Sequence, residues 1–494
     1  MADMKPYDTV RGLLGPLDSW LSGEDAVRLA AYATYENIYR NSPDAFKLIH
    51  RGSEAHPIYL PNARTIIETV HRHLARSWNY SLDPEYGTDA DRAALGAVLQ
   101  PLFRRELMWT KFSTQKRFGL IRGDQVWHVV ADPDKPAGRR LSIYELDPAS
   151  YFPITDDWNP DMVLGCHIVD PVENADGQTI IKRQTYRKTS GGTISYQLSW
   201  WETGAWDDRE GGKLKRAAPP DRERWNQPVE FELPEEITSL PVYHIKNSRT
   251  PGQIFGESEL QGFEVLIGAV NQAITDQDLA LVLQGLGLYV TTSGPPVDDD
   301  DNETDWHLGA GVVVEIDADS SFERVSGVSS VAPSLEHIAK IEGSMREAAG
   351  IPDVAIGSVD VQTAESGVAL ALRMGPIIDK TAEKELEILG VTDHLLFDLS
   401  TMWLPVYEGV GGAARAVSVV GDALPTNRKA VLDEILALLH ASLITIPYAQ
   451  QLVAERLGYD FPADMLAEII SEQRALAEAR DPYASRVAGE LDGA

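Results

Sequence analysis

The chain has 494 residues, 43% of them hydrophobic and 24% charged, which is typical of a folded globular protein too long for a single hydrophobic core. Its 44 Lys and Arg against 75 Asp and Glu leave a formal net charge of −31, which excludes tight DNA binding except through a local basic patch. A single cysteine, Cys166, excludes an intramolecular disulfide and a thiolate zinc site. The plainer interpretation of the charge is a soluble acidic surface.

Neither a secretory signal nor a membrane span is predicted. The first ten residues, MADMKPYDTV, lack the basic-then-apolar order of a signal peptide. The apolar stretch LALVLQGLGLYV (279–290) is too short to cross a bilayer. We therefore expect a protein that is neither secreted nor embedded in a membrane.

The first half of the chain predicts helices followed by a mostly antiparallel sheet, an α+β arrangement. Apolar residues recur at helical spacing from Ser22, over 62–80, and over 89–117, where a bend or interruption is expected near Pro101. Short β-rich runs follow over 119–154, then a hairpin around Ser190-Gly191-Gly192, and 240–249 closes the sheet. The polar, Gly-, Pro- and Arg-rich residues 203–228 predict an exposed loop.

The second half predicts long helices separated by one β-rich interruption. Ser258 and Gln261 have the spacing of a capping box, so a long helix is expected to begin at Ser258 and to end near residue 285. Short strands surround the acidic run 298–305, and GVVVEID (311–317) is the clearest of them. A helix over 334–350, a loop, and a very long helix over 364–404 with a kink at Gly375-Pro376 come next. A lone strand at 415–421 precedes further helices from Thr426.

The motifs of several enzyme classes are missing from the sequence. It has no G-x-x-x-x-G-K-[ST] phosphate loop and no G-x-S-x-G nucleophile motif, and the acid-x-Lys pair of nucleases occurs only at Asp3 and Lys5. His71 and His73 point away from each other on a predicted helix. The acidic run 298–305 does not fit the calcium-binding EF-hand pattern. We therefore predict no catalytic residue, no metal site and no cofactor.

Several stretches resemble segments of one protein family in their order and spacing. They are YELDPASYFPI (144–154), IFGESELQGFEVLIGAVNQAITDQD (254–278), GIPDVAIG (350–357) followed by ESGVALALRMGPIIDK (365–380), and DALPTNRKAVLDEILALLHASLITIPYAQQLVAERLG (422–458). Over roughly residues 25–475 the chain resembles the portal proteins of tailed double-stranded DNA bacteriophages, particularly those of long-tailed phages. Residues 203–228 and the acidic run depart from the family pattern.

The resemblance implies an α+β portal fold with named parts. The wing would comprise residues 1–256, helical over 22–118 and β-rich over 119–250. Two stem helices, 257–287 and 334–349, would flank a small α/β clip at 288–333. A tunnel loop at 350–365 would lead into a long kinked wing helix with a return strand at 366–425, and residues 426–494 would form a helical crown.

The resemblance also implies a structural role in the virion, without enzymatic activity. Copies of the chain, usually twelve, would form a ring at one capsid vertex, assembled in the host cytoplasm. Its channel would pass double-stranded DNA during genome packaging and ejection. The implied protein partners are the terminase large subunit and a head–tail adaptor protein at the clip, the major capsid protein at the wing, and a scaffold protein during assembly. No membrane partner is expected.

The candidate residues for the DNA channel lie in the predicted tunnel loop. It contains no Lys, Arg, His or Cys, which suits a constriction that must let DNA slide. About fifteen residues between two long helices favour a functional loop over an ordinary surface connection. Gly350 and Gly357 would permit backbone shapes that let the loop reposition. The candidate channel residues are Ile356, Ser358, Val359, Asp360, Val361, Gln362 and Thr363.

Lys340 and Arg346 are the candidate basic residues facing the channel. Being six residues apart, they lie about 240° apart around a helix, so at most one faces the channel squarely. An ion pair with a neighbouring subunit is the alternative role for either side chain. The first stem helix independently predicts oligomerisation, because its shorter partner helix cannot cover its apolar face within one chain.

Two other functions stay open on the sequence alone. One is another virion structural protein, a capsid or adaptor protein, although the helix–clip–helix–loop–helix order over 256–404 is not typical of capsid proteins. The other is a DNA-processing nuclease or ATPase, which the missing phosphate-loop and carboxylate–lysine patterns disfavour.

Overall fold

The computed structural model describes a large part of the chain, in two units. The described residues are 23–49, 56–75, 78–173, 177, 179–207, 213–217, 230–286, 288–295, 316, 318–325, 332–357, 369, 372–421, 428–441, 443–457, 465, 469 and 471. Compact packing divides the chain into one unit over Met1–Gly421 and a second over Asp422–Ala494. In the second unit, α9 (Arg428–His440) and α10 (Ile446–Leu457) pack on each other and bury Ile435, Ala449 and Leu457.

In the described part of the chain, four helices precede the large sheets of the first unit. They are α1 (Gly23–Tyr39), α2 (Asn62–His73), α3 (Asp89–Arg105) and α4 (Met108–Arg122). The interruption expected near Pro101 in the helical stretch 89–117 falls instead at Leu107, whose φ is 52°, and Pro101 lies inside α3. The turn there lets Phe103 of α3 and Phe112 of α4 both stack on Trp78, with ring centroids 5.6 and 4.5 Å away.

Antiparallel sheets follow, which confirms the α+β class for the described residues. β2 (Asp124–Ala131) lies between β3 (Leu141–Leu146) and β10 (Val242–Lys246). A second sheet contains β4 (Tyr151–Thr155), β5 (Val163–Glu173), β6 (Thr179–Lys188), β7 (Ile194–Asp207), β8 (Lys213–Arg216) and β9 (Glu230–Glu232). The predicted hairpin is present, since Lys188 pairs with Ile194.

The exposed loop predicted over 203–228 is wrong in part. Strand β7 continues through Asp207, and β8 pairs with it from Arg216 opposite Trp201 to Lys213 opposite Asp207. The far edge of β7 offers unpaired backbone groups, and β8 and β9 satisfy them despite the polar composition of this stretch.

The strand predicted at 415–421 was expected to be unpaired, but it has a partner strand. β13 (Ala416–Val419) pairs antiparallel with β1 (Asn79–Leu82), so that Leu82 lies opposite Ala416. The helix expected over 62–80 therefore ends early, at His73, because residues 79–82 form this strand.

Three long helices lie among the described residues in the second half of the first unit. α5 (Glu264–Leu286) is joined to α6 (Ala332–Ala348) through the strand pair β11 (Leu288–Thr291) and β12 (Phe322–Val325), and α5 packs on α6. The acidic run 298–305 lies outside the described residues, as does the predicted strand 311–317 except for Ile316. After the loop that follows α6, α7 (Gly375–Asp398) leads into a π-helical turn (Leu399–Trp403) and α8 (Leu404–Glu408).

The helix predicted over 364–404 with a kink at Gly375-Pro376 differs from the structure at the kink and at its end. A turn at Met374 precedes α7, and Pro376 occupies its first turn, where the missing backbone N–H costs no hydrogen bond. The helical run continues beyond residue 404 to Glu408. Pro405 cannot donate a backbone hydrogen bond, and the adjoining turn widens to the π form, where Gly412 N donates to the carbonyl oxygen of Ser400 at 3.1 Å.

The residues before α5 do not form the start of a helix, which corrects the capping box expected at Ser258. Residues 255–263, called here the docking segment, lie against the carboxyl end of α4. The Ser258 hydroxyl donates to the carbonyl oxygen of Ile121 at 2.6 Å, and Glu259 N donates to that of Leu120 at 2.9 Å. The hydroxyl that would have capped α5 thus satisfies the end of another helix, and α5 begins at Glu264.

Two glycines allow the docking segment to approach α4 closely. A Cβ on Gly256 would lie 2.3 Å from the carbonyl oxygen of Gly123, and a Cβ on Gly123 would lie 2.4 Å from that of Gly256. Gly123 also has a φ of 97°, a left-handed conformation that favours glycine. Any side chain at either position would push the two backbones apart.

Gly256→Ala is expected to lower the free energy of unfolding by about 3 kcal/mol, because both atoms that collide belong to rigid backbone. Gly390→Ala is the control, since a Cβ at that position in α7 meets nothing within 4 Å and should stabilise the helix by about 0.5–1 kcal/mol. Urea denaturation of both variants measures the difference. Equal stability of the two variants would contradict the close contact.

Candidate functional site

The predicted tunnel loop begins at a well-defined helix end. Residues 349–351, which connect α6 to the loop, are called here the loop root. Gly350, with a φ of 68°, follows α6, its N–H donates to the carbonyl oxygen of Glu347, and Ile351 N donates to that of Arg346 at 2.9 Å. This pair of bonds is the Schellman motif, which satisfies carbonyl groups at a helix end and is usually accompanied by a buried apolar residue after the glycine. Ile351 is buried accordingly. The left-handed conformation of Gly350 therefore ends α6.

The first part of the loop is one helical turn. Residues Asp353–Ile356 form a 3₁₀ turn that ends at Gly357, whose φ is 84°. Of the seven candidate channel residues, only Ile356 belongs to the described part. The other six, Ser358, Val359, Asp360, Val361, Gln362 and Thr363, lie outside the described residues.

Ile356 lies beside α2. It lines a shallow depression of about 330 Å³ together with Pro61, Arg64, Thr65, Glu68, Thr69 and Arg72. Arg64 and Arg72 are exposed and eight residues apart, so they share one face of α2. Sequence reasoning missed these two arginines, because their spacing marks a polar helix face but not the loop that the face adjoins.

The two candidate basic residues of α6 have different surroundings. Arg346 lies near the loop root, with its Nε 3.4 Å from Asp353 Oδ1. Lys340 is exposed and has no ion-pair partner among the described residues. The structure thus pairs Arg346 with a carboxylate of its own chain and leaves Lys340 open to solvent.

A buried charge cluster connects the docking segment, the loop root and α7. Glu259, which is 7% exposed, contacts Lys380 and Lys384, and the Lys384 Nζ lies 2.5 Å from Glu259 Oε1. Asn247 Nδ2 donates to the same oxygen at 3.1 Å. Lys380 also donates to the carbonyl oxygen of Ala349 at 2.8 Å, immediately before Gly350.

The cluster keeps Glu259 ionised. Burial by itself raises the pKa of the Glu259 carboxyl, but the charges of Lys384 and Lys380 and their hydrogen bonds outweigh it, so the pKa falls below its ordinary value of 4.5. The carboxylate in turn offsets the repulsion between two lysines that lie one helical turn apart.

Side chains of α5 bind a chain segment that precedes α2. Asn271, which is fully buried, accepts a hydrogen bond from Leu60 N at 2.9 Å, and Thr275 accepts one from Ile58 N at 3.0 Å. Gln272 both accepts from and donates to the backbone of Ile49. These bonds tie the first half of α5 to the helical part of the first unit.

The described residues offer little reactive chemistry. No group of three or more His, Cys, Asp and Glu residues that could hold a metal ion occurs among them. Burial raises the pKa of Cys166 to about 12, so its thiol is not ionised at neutral pH. His71 bonds through its Nε2 to the carbonyl oxygen of Ser113 at 2.9 Å, and His73 is buried. Among the described helices, none is long and apolar enough to cross a membrane.

Comparison with known proteins found neither a matching family profile nor a matching curated protein. Among the solved structures that match the chain are three from gene transfer agent (GTA) particles. The neck of an empty particle, computed with C6 symmetry, is 16% identical over 76% of this chain and 86% of that chain, with a TM-score of 0.41. The neck of a native particle, computed with C12 symmetry, is 15% identical over 81% and 96%, with a TM-score of 0.42. The virion of a native particle is 14% identical over 92% and 97%, with a TM-score of 0.38. Superpositions this loose carry no conclusion about this chain.

Glu259→Gln is expected to destabilise the protein at neutral pH and to lose its effect in acid. The folded carboxyl has a lowered pKa, so its ionised form stabilises the fold above the unfolded value and the contribution disappears as the pH falls through the folded value. At about pH 7 the loss should be about 3 kcal/mol, because Lys384 stays buried without its partner.

Urea denaturation at neutral and acidic pH measures this effect. Glu383→Gln is the matched control, because Glu383 is an exposed residue of α7, the helix that carries both lysines, and its replacement should change the stability by no more than about 0.5 kcal/mol. A loss in Glu259→Gln of the same size at every pH would show that the carboxylate charge is not what stabilises the cluster.

Proposed function

We propose that copies of this chain form a ring, with twelve members as the expected number, whose central channel passes double-stranded DNA into and out of a phage capsid. α5 and α6 would be the stem helices, the strand pair between them would belong to the clip, and the residues after Gly350 would narrow the channel. The helices and sheets of residues 1–256 and 366–425 would form the wing, and residues 426–494 the crown. The clip would bind the terminase large subunit and later the adaptor protein, and the wing would bind capsid and scaffold proteins.

The order and anchoring of α5, the strand pair, α6, the loop and α7 are the observation that carries this proposal. The helix pair leaves large apolar side chains in solvent within a single copy, with Val265 of α5 81% exposed and Leu335 of α6 53% exposed. Leu386 on α7 is 73% exposed. Neighbouring copies in a ring would bury such residues.

The charge distribution suits DNA that slides without being held. The chain carries a net charge of −31, and residues 350–365 contain no Lys or Arg. Phosphate contacts from Lys and Arg supply most non-specific DNA affinity. A constriction that lacks Lys and Arg therefore offers little resistance to sliding DNA. Arg346 at the loop root is opposed by Asp353, which weakens its attraction for a passing phosphate.

Placing a single reactive cysteine at position 356 tests the channel. Cys166 is buried with a raised pKa, so in Ile356→Cys only the new thiol should react with a polyethylene-glycol maleimide. We expect the purified variant to appear as rings with a central hole in electron microscopy, and we expect its labelled form to block DNA packaging. Labelled Asp134→Cys, on an exposed turn between β2 and β3, should package normally.

Each outcome of the labelling experiment is decisive. A lone monomer, or packaging that the label at position 356 leaves unchanged, would overturn the proposal. Sheets or shells in place of isolated rings would favour a capsid protein.

Replacing both candidate basic residues tests whether α6 touches DNA. Lys340→Ala with Arg346→Ala should lower the retention of packaged DNA. The salt dependence of DNA retention should also weaken, by the amount that the loss of about one or two phosphate contacts predicts. Lys135→Ala with Arg139→Ala is the control, since it removes the same charge from an exposed turn. Wild-type packaging, retention and salt dependence in the Lys340 and Arg346 double variant would remove both residues from the channel.

A further inference from the structure

Lys380 and Lys384 both form an ion pair with Glu259, but each donates a second hydrogen bond to a different backbone carbonyl group. Both contact the carboxylate of Glu259, one helical turn apart on α7. Lys384 also donates to the carbonyl oxygen of Asn247, at the end of β10, at 3.2 Å. Lys380 donates instead to the carbonyl oxygen of Ala349, at the end of α6. Only Lys380 therefore reaches the loop root.

The bond from Lys380 to Ala349 lies where a positive charge is most favourable. The last carbonyl groups of a helix carry partial negative charge and lack partners within the helix, so an ammonium group there both neutralises charge and satisfies an acceptor. The bond is made just before Gly350, and the aliphatic stem of Lys380 passes 3.6 Å from the position of a Cβ on that glycine. Lys380 thus contacts the residue that follows α6 and the turn that starts the loop.

Through Glu259, the same ammonium group connects the loop root to the docking segment. Glu259 N donates to the carbonyl oxygen of Leu120, so the backbone that carries the carboxylate is itself fixed to the end of α4. Lys380 therefore adds a polar connection between the end of α6 and the docking segment to the apolar contacts of Met345 and Ile351.

We propose that Lys380 is a positioning residue that sets where the loop after Gly350 enters the channel, an inference that rests on the proposed function. Without it, the ring assembles, but the root of the loop opens more often and the particle loses its hold on packaged DNA. Lys384, which supports the same carboxylate without touching the loop root, does not have this role.

The test compares Lys380→Met with Lys384→Met in the full-length protein. Each variant removes one ammonium group from Glu259 and keeps an unbranched side chain, so both should assemble into rings and lose thermal stability to a similar degree. Hydrogen exchange at the amides of Gly350 and Ile351, which form the Schellman bonds, reports the loop root directly. We expect about tenfold faster exchange there in Lys380→Met, the factor that losing a hydrogen bond from a charged donor predicts, and no change in Lys384→Met.

DNA retention in assembled particles provides the second measurement. Lys380→Met should retain less DNA than the wild type, and Lys384→Met should retain the same amount. Equal exchange and equal retention in the two variants, or wild-type values in Lys380→Met, would overturn the assignment. If Lys380→Met yields no rings, Lys380→Gln, which also removes the charge and keeps a polar side chain, is judged by the same outcomes.

Failure of the proposed function gives a different result. If the wild-type protein forms no ring or passes no DNA, the channel proposal fails, whereas the exchange rates at Gly350 and Ile351 still report whether Lys380 holds the end of α6. If the wild type packages DNA and the two variants behave alike, only the role of Lys380 fails.

Discussion

The close approach of the Gly123 and Gly256 backbones is the contact on which the rest of the first unit depends. It brings the docking segment onto the end of α4, where Ser258 and the Glu259 N–H satisfy two carbonyl groups. This places the Glu259 carboxylate where Lys380 and Lys384 of α7 meet it. Because Lys380 also binds the end of α6, one glycine contact positions the beginning of α5, the end of α6 and the first half of α7 together.

A buried polar network supports the same contact from its other side. The Asp124 carboxylate, which is fully buried, accepts hydrogen bonds from Gly256 N at 2.8 Å and from Tyr32 of α1, and His244 Nε2 lies 2.7 Å from it. Burial raises the pKa of Tyr32 well above its usual value, and the charge of Asp124 raises it further, so the phenol stays a donor. Arg28 covers Phe255, its guanidinium carbon 4.1 Å from the ring centre. Buried charges that are satisfied in this way specify one arrangement, because any other would leave a charge without partners.

The anchored base of the loop and the absence of Lys and Arg from residues 350–365 would suit the proposed channel together. A constriction around moving DNA has to keep its shape without binding the DNA. Its stiffness therefore has to come from contacts between the base of the loop and the rest of the protein. The Schellman turn, the bond from Lys380 and the position of Ile356 against α2 are contacts of that kind. In the proposed ring, the exposed apolar residues of α5, α6 and α7 would offer neighbouring copies an apolar surface to bury.

The sequence by itself was enough to predict the α+β class, the hairpin at residues 190–192 and the presence of the long helices, because hydrophobic periodicity and turn residues are local signals. It misassigned the features that depend on distant partners. Ser258 has the spacing of a helix cap, yet its hydroxyl bonds to Ile121, which is 137 residues away. Residues 416–419 look like an isolated strand until β1 lies beside them, and Lys380 looks like any surface lysine of a helix until Glu259 and Ala349 approach it. A local pattern shows which groups need a partner, but only the folded chain decides which partner each group finds.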